Sequence, residues 1–399
     1  MSSEPTSGRD PSWRLRVYPF ALLVALGGAL LLAVLSYDRD HPTTRLGGDY
    51  PSFYAAGSIA LAGDWGELYS AERQSAEQAG LIDDEGGYLY FSYPPFVAGA
   101  YGALAVFDYS VSFLLHTVLM TLALVAATRL LWPRLESIGW PFPALLVLAM
   151  AFYPMLRAVP GGQNTTVSLL LLALAVRLER DDAPFWAGVA LAGLLFKPQF
   201  GVVIVPLLLL TRRWRVLAGW ATGAGALAIV SGWLMGGMWL GDWWEQAGAF
   251  RDQNVVANGA NFISLPGFFE NLLGTGETTA FVVGYGAATV FGLAVAYFWW
   301  RHPRSHHLER YALAGAAVVL AAPQTLYYDA GLLLLGLAAV AAVVKENGVR
   351  VIGPLAALSW VHIVADDLGW SPLGPLVWVA AGWLIWRLVR SRGGQPTPV

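Results

Sequence analysis

The chain has 399 residues, of which 56% are hydrophobic and only 13% are charged, and its mean hydropathy is +0.53. Because soluble globular proteins carry about 25% charged residues, this composition excludes a soluble enzyme and a disordered chain. The formal net charge is −3 and the 24 Lys and Arg residues form no long basic run, which excludes a nucleic-acid partner. The absence of cysteine excludes disulfides, thiolate catalysis and cysteine-based metal sites. We therefore predict an all-α, polytopic integral membrane protein.

The N-terminal region predicts a tail, a first membrane helix and a polar loop. Residues 1–17 are polar and are predicted to form a cytoplasmic tail. The apolar run Tyr18–Ser36 is long enough to cross a bilayer, and no small-residue cleavage site follows it. Residues 37–92 carry ten acids and three Arg, and this shortage of basic residues is typical of an outer loop.

Two short helices are predicted inside this first outer loop. Ser52–Leu61 has a weakly amphipathic pattern of small residues, and Ser70–Ala79 begins with a Ser N-cap and ends before Gly80. Both are expected to lie on the membrane surface. Asp38 and Asp40 resemble the Asp-x-Asp pair that binds metal–nucleotide sugars, but two carboxylates alone make a poor metal site, so no metal is predicted.

Twelve further apolar runs are candidate membrane spans, and a second polar stretch, residues 236–278, forms the other predicted outer loop. Basic residues concentrate in linkers that fall on one side if the spans alternate, which makes that side cytoplasmic. With both termini cytoplasmic, the number of crossings is even, so we expect about 12 transmembrane helices in the inner membrane of a bacterium. The runs are Pro95–Phe107, which is short and predicted to be interfacial, Ser110–Leu131, Pro143–Ala158, Thr165–Val176, Trp186–Phe196, Phe200–Leu210, Val216–Met235, Thr279–Trp300, Tyr311–Ala322, Ala330–Val344, Val351–Ala365 and Leu373–Val389.

This topology collects polar groups on the outer (periplasmic or extracellular) face, where ionisable residues at span ends are unfavourable unless they are paired or hydrated. Lys197 is one of only two lysines and lies in a turn between two short spans. It is either a lysine that snorkels to the interface or a point charge for a phosphate or carboxylate. Asp49 follows Gly47-Gly48 and precedes a helix start, so it is either a solvated loop acid or a functional carboxylate.

Other polar residues at helix starts leave two interpretations open. Gln163 and Asn164 follow a Gly-Gly pair and could hold an anion or a sugar hydroxyl, although Asn is also a common N-cap. Tyr328 and Asp329 open a further helix, either as functional groups or as an aromatic belt with an acid that favours the helix dipole.

Five segments in order resemble glycosyltransferase family 87, whose members are integral-membrane enzymes of the GT-C superfamily. The resemblance covers roughly residues 46 to 335. At the positions where the mannosyltransferase branch has His, this chain has Tyr328 and Asp329, so the identity of the sugar stays open. The similar segments are Gly47 to Ala56, Phe91 to Phe96 around Tyr93, Gly162 to Asn164, Lys197-Pro198, and Ala322-Pro323 with Asp329.

The resemblance implies a single GT-C-type transmembrane domain over residues 18–390, with a cytoplasmic tail at 391–399. It also implies transfer of a sugar, commonly mannose, from a polyprenyl-phosphate donor to a lipid or glycan acceptor, with no cofactor. Asp49 would be the general base and Lys197 would neutralise the donor phosphate. The groups expected to bind the sugar or phosphate are Tyr93, Arg157, Gln163, Asn164, Tyr328 and Asp329.

Two other classes of function stay open from the sequence. A flippase or transporter for a lipid-linked sugar would need access from both faces, commonly with inverted repeats, and no repeat is visible. A membrane scaffold without catalysis would leave the isolated Lys197 unexplained.

Overall fold

The computed structural model describes residues 47–81, 88–135, 142–274, 278–344 and 348–390. Within these ranges the chain is helical, and Phe262 and Leu326 form an isolated antiparallel bridge. The all-α prediction is therefore confirmed. The predicted N-terminal tail, the first span Tyr18–Ser36, Asp38 and Asp40, and the tail at 391–399 lie outside the described residues.

Eighteen α-helices occupy these ranges, and short 3-10 turns extend or connect several of them. They are α1 (Tyr50–Ala62), α2 (Ala71–Gln78), α3 (Pro95–Gly102), α4 (Tyr109–Leu135), α5 (Phe142–Ala151), α6 (Tyr153–Ala158), α7 (Thr165–Arg180), α8 (Pro184–Ala192), α9 (Gly201–Leu210), α10 (Trp214–Met235), α11 (Trp239–Asn258), α12 (Leu265–Leu273), α13 (Thr278–Arg301), α14 (His307–Ala321), α15 (Leu334–Val344), α16 (Gly348–Leu358), α17 (Ala365–Leu368) and α18 (Leu373–Arg390).

Four described helical segments are long and apolar enough to cross a membrane, and four shorter apolar helices accompany them. The expected count of about 12 transmembrane helices is therefore not confirmed. Several apolar runs are interrupted: Pro143–Ala158 forms α5 and α6 with a break at Phe152, and 3-10 turns adjoin α8, α9 and α16. The four long segments are Tyr109–Leu131, Trp214–Met235, Thr278–Arg301 and Tyr327–Val344.

The two helices predicted in the first loop form, but their environments differ. α2 begins at the Ser70 cap, which accepts a hydrogen bond from the Arg73 amide, and the chain turns at Gly80 with φ +76°. α1 does not present one face to a membrane surface. Most of its residues are buried, and its aromatic side chains pack against α3 and α4. α3 has eight residues and a length of about 12 Å, too short to cross the bilayer.

The polar stretch 236–278 contains two helices that the sequence pattern did not predict. The 20-residue α11 mixes tryptophans with charged residues, so it shows no clear amphipathic period. Ser264 caps α12, because its hydroxyl oxygen accepts a hydrogen bond from the Gly267 amide. Between these helices, the Ile263 amide donates to the Thr325 carbonyl and ties this region to the segment before Asp329.

A buried ion cluster of four residues joins α7, the start of α10 and α14 at the end of the bundle remote from Asn164. Arg310 is fully buried, and its Nη2 lies 2.6 Å from Oε2 of Glu179 at the end of α7. His307 and Arg213 lie within 3.5 and 3.7 Å of the same carboxylate. Because α7 has 16 residues, this cluster lies about 21 Å along the helix from its first residue.

The chain between α7 and α10 is a helical hairpin with Lys197 at its tip. Glu179 precedes the hairpin and Arg213 follows it, and the two side chains meet in the ion cluster, so the chain must reverse between them. Each arm, Pro184–Phe196 and Pro198–Leu210, has 13 residues and a length of about 20 Å. The hairpin therefore carries Lys197 to the end of the bundle where α7 begins, as the predicted turn requires.

Candidate functional site

Two Gly-Gly turns pack against each other and place Asp49. Gly47, Gly48 and Gly162 have φ values of +89°, +55° and +70°, a backbone conformation that favours glycine. The Asp49 amide donates to the Gly161 carbonyl over 3.1 Å. A Cβ on Gly162 would overlap the Gly47 carbonyl oxygen, so the two turns can approach this closely only because both lack side chains.

The contact between the turns brings Asp49 to Gln163. Gln163 donates from Nε2 to Oδ2 of Asp49, across 114 residues of sequence. Asp49 stands before the first residue of α1 and its side chain makes no N-cap hydrogen bond, so local helix capping does not account for it. Gln163 is 2% exposed, and its Oε1 is buried without a protein hydrogen-bond partner.

Lys197 and Asp329 form a buried ion pair beside this contact. Lys197 Nζ lies 2.5 Å from Oδ1 of Asp329, and the two side chains are 4% and 5% exposed. Snorkelling is therefore the wrong interpretation of Lys197, because its charged end points inward. Tyr328 covers the ammonium, with its ring centroid 5.0 Å from Nζ. The Asp329 carboxylate also accepts a hydrogen bond from the Leu326 amide, which closes the turn on which Asp329 lies.

Two tyrosines lie near both the Asp49–Gln163 contact and the Lys197–Asp329 pair. The phenols of Tyr93 and Tyr328 both lie within electrostatic range of the carboxylates of Asp49 and Asp329. Burial, followed by the charges of these carboxylates, raises the pKa of Tyr93 well above its ordinary value of 10. Tyr93 therefore stays protonated at physiological pH and can donate a hydrogen bond into the site.

Asn164 faces a neighbouring aromatic network. Its side chain interacts with the Tyr101 hydroxyl, which also lies 3.3 Å from Nδ1 of His116. It is the N-cap residue of α7 but makes no side-chain cap, so the common capping role does not explain it. Its Oδ1 is buried without a protein hydrogen-bond partner, as is Oε1 of Gln163. Two buried acceptors of this kind suit hydroxyl donors such as those of a sugar.

Arg157 lies at the edge of this arrangement. It is exposed, and its guanidinium hydrogen-bonds Tyr327 and lies near Tyr153. Tyr327 in turn stacks on His362 at 4.2 Å. Of the eight predicted site residues, the structure joins Asp49, Tyr93, Gln163, Lys197, Tyr328 and Asp329, while Asn164 and Arg157 interact with adjacent groups.

Tyr101 and His362 are two neighbours of the site that the sequence analysis did not single out. Both lie in apolar segments, where a lone polar aromatic residue gives little signal. The paired Gly-Gly turns did carry a signal, because each precedes a predicted site residue, but the sequence did not indicate that they touch. In the described parts of the chain, no three His, Asp or Glu side chains are placed to hold a metal ion.

Comparison with known proteins identifies the family. The sequence profile described as Glycosyltransferase family 87 matches residues 91–323, more than half of the chain. No curated protein and no solved structure matches the chain significantly. The matched range includes Tyr93, Gln163 and Lys197, whereas Asp49 and Asp329 fall outside it and join them only through the fold. With its helical membrane architecture and this match, the chain belongs to glycosyltransferase family 87, and it is a membrane glycosyltransferase.

Proposed function

We propose that this enzyme transfers a sugar from a polyprenyl-phosphate donor to a lipid or glycan acceptor at the outer face of a bacterial inner membrane, with inversion at the anomeric carbon. The observation that carries this proposal is the joint placement of the Asp49–Gln163 contact and the buried Lys197–Asp329 pair around two tyrosines. A carboxylate and a cation close together match the two charges that such a transfer must handle.

In the proposed step, Asp49 removes the proton from an acceptor hydroxyl as its oxygen attacks the anomeric carbon. The bond between that carbon and the phosphate oxygen breaks, and the phosphate leaves with the electron pair. Because phosphate is a good leaving group, one base suffices for a single inverting displacement. The hydrogen bond from Gln163 fixes the orientation of the Asp49 carboxylate for this proton transfer.

Lys197 would stabilise the charge that develops on the leaving phosphate. An ammonium group has three N–H donors, and the contact with Asp329 uses one of them. Asp329 is therefore a positioning residue, which holds the lysine inside the site before a donor arrives. Mannose is a proposed sugar on the family resemblance alone.

The depth of the site supports a lipid-linked donor. The hairpin arms are about 20 Å long, less than the roughly 30 Å of a bilayer hydrocarbon core. A site at their tip would thus lie within reach of a phosphate at the end of a membrane lipid. An apolar cavity of about 360 Å³, lined by residues that include Phe152, Leu333 and Leu337, adjoins the turn that carries Asp329 and suits a hydrocarbon chain.

A flippase is supported less well. Transport would require a polar route to the other end of the bundle, where Arg310 and Glu179 form a buried ion pair between α7 and α14. The polar groups of the site gather at one end of these helices.

The test is a transfer assay on the purified protein in nanodiscs, supplied with radiolabelled polyprenyl-phosphate sugars and with membrane lipids and glycans as acceptors. Asp49→Asn removes the base and is expected to lower transfer by about 10²- to 10⁴-fold. Asp64→Asn is the matched control, because Asp64 is half exposed and pairs with Arg73 on the surface.

Labelled product that forms with the wild type and with Asp64→Asn, and is lost with Asp49→Asn, supports the proposal. Equal product from all three proteins overturns the role of Asp49. If no donor yields product while the labelled lipid still exchanges between the leaflets, the protein is a flippase and the proposal fails.

A further inference from the structure

A second cavity, which is polar, lies near the site between α11, α12 and α13. Its volume is about 360 Å³, within the usual range for pockets that bind small molecules. None of the eight predicted site residues lines it. Its lining combines polar, charged and aromatic groups: Arg251, Pro266, Gly267, Glu270, Thr278, Ala280, Phe281, Tyr285, Pro323 and Gln324.

The chemistry of the lining indicates a neutral, polyhydroxylated ligand. Glu270 supplies a negative charge, and Arg251 supplies a positive charge that also pairs with Asp252 at 3.1 Å. Arg251 and Glu270 both act on the Tyr285 hydroxyl. This balance differs from the clusters of basic residues that bind phosphate. The rings of Phe281 and Tyr285 lie 4.6 Å apart and offer apolar faces. Hydrogen-bonding groups beside exposed aromatic faces suit a sugar, which has hydroxyl edges and an apolar face.

The wall of the cavity is held in a fixed conformation. Gln324 has φ +52°, which is uncommon for a residue other than glycine. Its side chain donates to the Arg251 carbonyl over 3.1 Å and accepts from the buried Asn254 over 3.4 Å. These bonds tie the segment before Asp329 to α11, so the cavity is preformed.

The cavity lies within the reach of an oligosaccharide from the reacting centre. Gln324 is five residues before Asp329, so their Cα atoms are at most about 18 Å apart. The intervening segment pairs with Phe262 and Ile263 and leads directly from the cavity to the Lys197–Asp329 pair.

We propose that this cavity binds the non-reacting sugar units of a glycan acceptor, so that the acceptor is an oligosaccharide chain; this inference rests on the proposed function. Arg251, Glu270 and Gln324 hold its hydroxyl groups, and Tyr285 packs against a sugar ring. Binding at a distance from the bond that forms orients the acceptor hydroxyl toward Asp49.

The experiment measures binding without turnover. Saturation-transfer NMR is recorded on the nanodisc-embedded protein with α-1,6-mannotriose, α-1,5-arabinotriose and maltotriose as separate probes. We expect saturable binding of at least one trisaccharide, and an increase of its Kd by about tenfold in Arg251→Ala and in Glu270→Ala. Glu245→Ala is the control, because Glu245 is an exposed acid on α11 outside the cavity lining.

The outcomes separate this inference from the proposed function. Asp49→Asn is expected to bind the trisaccharide like the wild type although it does not transfer. If transfer occurs but none of the three trisaccharides binds, or if binding is unchanged in the Arg251 and Glu270 variants, the cavity proposal is overturned and the transferase stands. Displacement of the trisaccharide by glycerol 1-phosphate at equal concentration would also overturn it in favour of a lipid headgroup site.

Discussion

Removal of one partner of the Lys197–Asp329 pair is expected to destabilise the protein strongly. Both side chains are about 95% buried, so Lys197→Met leaves an uncompensated carboxylate and Asp329→Leu leaves an uncompensated ammonium. Breaking a buried pair in this way costs about 3–5 kcal/mol, whereas replacing both partners with apolar residues is neutral or stabilising by about 1–4 kcal/mol. The single variants should therefore lose much of the folding free energy, and the double variant should recover it.

The assay is equilibrium unfolding in mixed dodecyl maltoside and SDS micelles, followed by tryptophan fluorescence. Arg177→Met is the matched control, because Arg177 pairs with Asp181 at the surface with about 40% of each side chain exposed. A surface pair of this kind contributes at most about 1 kcal/mol. If Lys197→Met unfolds like Arg177→Met, the Lys197–Asp329 pair is not desolvated and the reasoning is refuted.

The double variant also separates stability from function. It is expected to fold like the wild type but to transfer sugar about 10²- to 10³-fold more slowly, since no cation remains to stabilise the leaving phosphate. Transfer at the wild-type rate by the folded double variant would contradict the proposed role of Lys197.

Two further predictions concern the turn contact and a site tyrosine. Gly162→Ala is expected to destabilise the fold by more than about 2 kcal/mol and to abolish transfer, because its Cβ would overlap the Gly47 carbonyl at a φ of +70°. Gly225→Ala, in open space on α10, should instead be neutral or stabilising by up to about 1 kcal/mol; similar unfolding of both variants would disprove the close contact. The raised pKa of Tyr93 means that the folded state keeps its proton while the unfolded chain ionises above pH 10. The wild type should therefore lose about 1.4 kcal/mol at pH 11 through this residue, and Tyr93→Phe should remove that share of the alkaline loss in a series of unfolding curves from pH 8 to 11.

Individual candidate site residues could be predicted because their types are out of place in an apolar chain. Lys197 was singled out as one of two lysines, and Asp49 by the glycines before it. Ionisable residues in so apolar a chain are unfavourable unless they are paired or hydrated. They commonly mark functional sites in membrane proteins, so a functional role was a reasonable inference. Their partners could not be predicted, because Asp49 meets Gln163 across 114 residues and Lys197 meets Asp329 across 132.

Apolar runs predicted most helices but not their continuity. The composition of Trp214–Met235 and Thr278–Arg301 sufficed to place long helices there. The helices break at Phe152 and at Lys197, and these breaks depend on nearby prolines and on the packing around each turn. The number of membrane crossings therefore did not follow from hydropathy. α11 was missed because its tryptophans and charged residues do not alternate with a helical period.

The sequence by itself determined the membrane class and the helical fold and indicated most polar residues of the candidate site, because these depend on composition and on short motifs. The tertiary structure alone decided that two glycine turns touch, that Lys197 points inward to Asp329, and that Arg251 and Glu270 share a cavity. Each of these contacts joins segments distant in the chain. Their formation depends on helix packing and on the strong preference of buried charges for a partner, which no local pattern encodes.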